Sequence, residues 1–136
     1  MNKTVHMILA SCLVAGVSVG CVRVAAIYNV KDAPITTATG QEPAADAVQK
    51  AIIEAGAMKG WRMAIVEPGH ILASIALREH TAAADITYDS KTYNINYKDS
   101  TNLGYDGTKQ VIHRNYNEWI KYLDGAIRAK LSTAGL

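Results

Sequence analysis

Apolar and polar positions change period twice along this chain, and each change marks a boundary. Val48, Ala51, Ile52 and Ala55 recur at i, i+3, i+4 and i+7, with Asp46, Gln49, Lys50 and Glu54 between them. That spacing lines one face of an α-helix. Glu42-Pro43 predicts its start, because proline lacks an N–H that would be unpaired at a first helical position anyway. Gly56 and Gly60 bracket its end, and Gly60 suits the C-terminal cap. From Trp61 the period shortens to two. Trp61, Met63 and Ile65 alternate with Arg62, Ala64 and Val66 up to the turn Glu67-Pro68-Gly69-His70. Ile71, Ala73, Ile75 and Leu77 continue the apolar face, and Arg78 to Thr81 reverse the chain. Ala82, Ala84, Ile86 and Tyr88 follow, then the reversal Asp89-Ser90-Lys91, then Tyr93, Ile95 and Tyr97. Four such runs joined by short turns predict an antiparallel meander.

The 3.6-residue period returns at the end. Ile112, Tyr116, Trp119, Ile120, Leu123, Ile127 and Leu131 share one face of a predicted C-terminal helix, in which Gly125 suggests close packing. The expected architecture is therefore a two-layer α+β domain over residues 42–136, in the order α-β-β-β-β-α. One face of a four-stranded sheet is covered by two helices. The other face is polar on the fourth strand (Asn94, Asn96, Lys98) but apolar on the first two. Ala64, Val66, Leu72 and Ala76 there form a candidate partner-binding patch.

The N-terminus changes the picture of where such a domain works. Val5 to Gly20 is an apolar run of sixteen residues behind Lys3. It is shorter than the ~20 residues a membrane span requires, and fits a secretory signal peptide over residues 1–20. Cys21 stands directly after Ser18-Val19-Gly20, with the small residue and the thiol that lipoprotein processing needs. Ser18 departs from the usual leucine. The rival box Leu9-Ala10-Ser11-Cys12 leaves too short an apolar run before it. Cys21 is the expected lipidation site, and residues 21–41 an arm or linker, although Val24, Ile27, Tyr28 and Val30 are apolar enough to lie on the domain as a further strand. With Cys12 removed and Cys21 acylated no thiol is left, so neither disulfide nor thiolate metal site is expected. The 14 basic and 12 acidic side chains are interspersed, without a basic run, which points away from nucleic acid.

Candidate chemistry concentrates in Tyr97–Trp119. Asp99, Asn102 and Asp106 offer oxygens, but a calcium loop counted from Asp99 has Gly104 in place and Thr101, Leu103 and Gln110 where ligands belong. His70, His80 and His113 lack the short spacing of zinc ligands. Ser100 or Thr101 with His113 and Asp106 supplies the letters of a triad without a nucleophile elbow. We expect no metal, no cofactor and no enzyme. Asp99–Asn102 and Tyr105–Thr108 read as turns, and His113–Asn117 as a helix start. Rings beside amides leave a second candidate, a glycan- or ligand-binding groove using Tyr105, Trp61, Tyr122, His113 and Asp106.

The chain resembles small lipoproteins of Gram-negative proteobacteria. The resemblance runs through Tyr28-Asn29-Val30, Pro34, Ala47–Ala55, Gly60-Trp61 and Pro68–Ile71. It is most specific in Tyr97–Leu103, Tyr105-Asp106-Gly107, Ile112-His113, Asn115–Asn117 and Trp119. It implies export and an outer-membrane lipid anchor facing the periplasm, and it brings no catalytic or binding residues with it. The expected function is that of a lipid-anchored accessory of the cell envelope acting on a protein or, alternatively, on peptidoglycan.

Overall fold

The computed structural model describes residues 23–135. Cys21 and the signal segment lie outside the described residues. The architecture is α+β, with strands β1 (Val24–Ala26) and β2 (Val30–Pro34), helix α1 (Ala45–Met58), then β3 (Arg62–Glu67), β4 (His70–Leu77), β5 (His80–Tyr88) and β6 (Thr92–Thr101). β7 (Val111–His113) and helix α2 (Arg114–Ser132) complete it. The meander of four strands is present, but it belongs to a five-stranded antiparallel sheet in the order β2-β6-β5-β4-β3, and β1 pairs with β7 in a separate ribbon.

Both additional pairings come from the segment expected to be a linker. β2 adds to the β6 edge with Val30 opposite Ile95. Asn117 on α2 fixes the stretch between β1 and β2: its Oδ1 accepts from the Tyr28 N–H at 2.9 Å, and its Nδ2 donates to the Ala26 carbonyl at 2.8 Å. Asn29 accepts from the Tyr97 N–H, and Asn94 from the Asp32 N–H. Val30 and Ala33 are buried in the core. The segment from Val24 is part of the folded body.

Both helices cover one sheet face. The core is built from the predicted stripes: Val48, Ile52 and Ala55 of α1; Ile71, Ala73, Ala84, Ile86, Tyr93 and Ile95 of the sheet; Tyr116, Ile120, Leu123 and Ile127 of α2. Helix ends differ in detail. α1 begins after Ala44, so Pro43 precedes the helix instead of opening it. It ends in a Schellman motif, with Gly60 at φ +81°, the Gly60 N–H on the Ala57 carbonyl and the Trp61 N–H on the Gly56 carbonyl. Ile112 is in β7, not in the helix. His113 caps α2, its Nδ1 accepting from the Asn115 N–H at 3.1 Å. At Gly125 a Cβ would meet nothing within 4 Å, so this glycine faces open space and the expected close packing is absent.

Candidate functional site

Tyr97–Trp119 resolves into structural parts. Asp106 Oδ1 accepts from the Lys109 and Thr108 N–H groups, and these bonds, the Lys109 one above all, hold its carboxyl below the ordinary range. The backbones of Asp106 and Val111 bond reciprocally, so the loop closes on the start of β7. Asn102, at φ +57°, donates to the Glu79 carbonyl, and its own carbonyl meets His80 Nδ1 at 2.8 Å. Ser100 Oγ is 2.9 Å from the Tyr97 hydroxyl, and His113 is occupied as a helix cap. Among the described residues no hydrogen bond joins His113 to Ser100, Asp99 or Asp106. Tyr105 stacks on Tyr97 with ring centroids 4.2 Å apart. The concavity that holds Trp61 and Tyr122 includes none of Tyr105, His113 and Asp106, so the expected set of ligand-binding residues does not form one site.

The uncovered sheet face carries the apolar patch named above. Ala64, Val66 and Ala76 are exposed and Leu72 is half-buried. Beside them is a polar cluster. Asp85 on β5 meets His70 Nε2 of β4 at 2.7 Å, and Lys98 Nζ of β6 donates to both its oxygens at 3.1 Å. Partial burial would raise the Asp85 carboxyl, but the His70 and Lys98 hydrogen bonds outweigh it and hold the group below its ordinary value. A shallow hollow of about 400 Å³ lies further along, floored by Ser74, Ala76 and Ala83 between Arg62 and Asp99.

A better-formed concavity lies where α2 passes the C-terminal end of α1. Trp61, Ile75, Leu77, Trp119 and Tyr122 line a pocket of about 330 Å³ with Lys59 and Gly60. At Lys59 and Tyr122 it adjoins a groove of about 570 Å³ between Met58 and the Gly125-Ala126-Ala129 side of α2, rimmed by Lys121 and Lys130. Three elements position this site. The Schellman turn delivers Trp61, the end of β4 delivers Leu77, and α2 presents Trp119 and Tyr122 three residues apart. Met58, Leu77 and Tyr122 are exposed at 67%, 43% and 62%, values that mark apolar surface left without a partner. No carboxylate or amide side chain lines either part. Nothing in the sequence marks Met58 or Gly125 as ligand-binding. Trp119 reads as a core position of the α2 stripe, and only packing shows that it lies at the stripe's margin.

The described residues contain no group of three or more metal-ligating side chains, and no helix among them is long and apolar enough to cross a membrane. Compared with protein-family models, curated proteins and solved structures, the chain matches none.

Proposed function

We propose that this protein is a non-enzymatic binding domain of the Gram-negative envelope, held to the outer membrane by acyl chains on Cys21 and facing the periplasm. Two or more acyl chains anchor a protein stably where one does not. Its groove takes an amphipathic helix of an envelope protein. The observation that carries this reading is the pair of adjoining concavities, sharing Lys59 and Tyr122, that run from Trp61 to Ala129. A helix partner needs apolar side-chain anchors and a smooth wall for close approach. Trp61, Trp119, Leu77 and Met58 supply the apolar sites, and Gly125, Ala126 and Ala129 supply the wall. Of the rim lysines, Lys121 pairs with Glu118 and Lys130 with Glu54, while Lys59 has no ion pair among the described residues and is free to meet a carboxylate of the partner. Saccharide recognition would require carboxylates or amides around the rings, and this lining has neither.

A photo-crosslinking side chain in place of Tyr122, in living cells, tests the reading. The expected result is one cross-linked envelope protein, attached through an amphipathic acidic segment. Gly125→Leu fills the trough without a steric clash at Cβ, and should abolish the cross-link while the fold persists. Cross-links to peptidoglycan alone would replace the helix with a glycan. A native N-terminus without fatty acid would remove the anchor.

A further inference from the structure

The sheet has two edges, and they are finished differently. On the β2 edge the ladder shifts between Val30 and Ala33, Asp32 sits at φ +45°, Lys31 and Asp32 are exposed, and Pro34 lacks a donor. These are the features by which edge strands resist pairing. The β3 edge, Arg62-Met63-Ala64-Ile65-Val66-Glu67, has no proline, no positive φ and no charge between its ends, and its one irregularity lies between Ile65 and Glu67. β4 occupies only one of its sides, so alternate N–H and C=O groups point outward. Ile65 and Val66 are 53% and 56% exposed, and they are the only β-branched residues among the exposed large hydrophobics of the described chain.

We propose that β3 pairs antiparallel with β3 of a second copy, joining two five-stranded sheets across a two-fold axis. An open ladder selects an extended backbone as its occupant, and the charges select this one. In the described structure neither Arg62 nor Glu67 has an ion-pair partner within its own chain. Antiparallel self-pairing reverses the strand ends, so Arg62 of each copy lies where the other presents Glu67. The interface is self-complementary, as a two-fold contact must be. In that register Ile65 and Val66 of each copy lie against the Met63-Ala64 stretch of the other. The trough begins at Trp61, next to β3, but no residue from Arg62 to Glu67 lines it, so the dimer is measured separately from that site.

Sedimentation equilibrium of the full chain in a density-matched, non-denaturing detergent, over a protein concentration series, provides the test. The expected result is a reversible monomer–dimer equilibrium. Arg62→Glu and Glu67→Arg each place like charges at both ends of the pairing and should weaken the dimer about tenfold. The double variant Arg62→Glu/Glu67→Arg should restore it. Val66→Lys, at an exposed position, should weaken it at least as much with an unchanged circular dichroism spectrum. Monomer at every concentration overturns the proposal. So do charge reversals without effect, or a double variant that stays as weak as the single ones.

Discussion

Tyr93 and Tyr116 are both fully buried, and burial pushes both phenols far above their ordinary range, yet their hydroxyls have opposite surroundings. The Tyr93 hydroxyl donates to Asp124, which also accepts from Arg128 Nε at 3.0 Å. The Tyr116 hydroxyl has no partner among the described residues, its ring lying edge-on to Tyr97 at 5.5 Å. A hydroxyl buried without a hydrogen bond costs free energy relative to the same ring without it. Tyr116→Phe should therefore raise unfolding stability by about 1 kcal/mol. Tyr93→Phe should lower it by about 2 kcal/mol, because the buried Asp124 loses a donor. Urea denaturation of both variants checks the pair. Equal effects in one direction would mean that the hydroxyls are not distinguished by their partners.

At the scale of elements, the period of the sequence located both helices and the four strands of the meander, since each buries one face and so must repeat at its own spacing. Tyr97–Trp119 was legible in part: Asp106 makes the expected turn and His113 the helix start, whereas Asp99–Thr101, read as a turn, continue β6 against β5. Three other features escaped that logic. β1 and β7 are three residues each, too short to show a period, and their pairing depends on chain segments far apart in sequence. Ile65 keeps the alternation of β3, but the helices do not reach over it, and it ends exposed. The trough was half legible: Trp61 and Tyr122 stand out as aromatic, whereas Trp119 hides in a core stripe and Gly125 reads as close packing. The arm shows how one side chain can replace a pattern. Asn117 alone supplies an acceptor and a donor to backbone groups between β1 and β2. Asn117→Ala removes both and leaves partly buried peptide groups unpaired, a loss of about 1–3 kcal/mol. Local opening of the arm should then increase amide exchange at residues 24–28 by roughly ten- to a hundredfold, with the core of the sheet less affected. Uniform acceleration throughout the chain would show instead that the arm and the sheet unfold as one unit.

For the whole molecule, the acid limit follows from where its stabilised carboxylates sit. Asp85 ties β4, β5 and β6 together on the open face through His70 and Lys98. Asp89 closes the β5–β6 turn, with Thr92 and Lys91 N–H groups on its carboxylate, and Asp106 closes the loop before β7. All three are held below the ordinary value of 3.8 when folded. A carboxyl depressed on folding adds stability that is fully present above its unfolded value and is lost as pH falls through the folded one. The urea midpoint should therefore decline as pH drops below 3.8, and the three sites span both the sheet and the loop that leads to α2. Asp89 is exposed and Asp106 half-exposed, so screening weakens their contacts, whereas Asp85 bonds to two side chains in a more covered site. Asp85→Asn should accordingly flatten the acid limb of the curve more than Asp89→Asn does. The same substitution weakens the link between His70 and Lys98, so it should also lower the midpoint at neutral pH. An acid limb as steep in Asp85→Asn as in the parent would place the sensitivity in other carboxylates, and the cluster on the open face would then contribute contact without pH dependence.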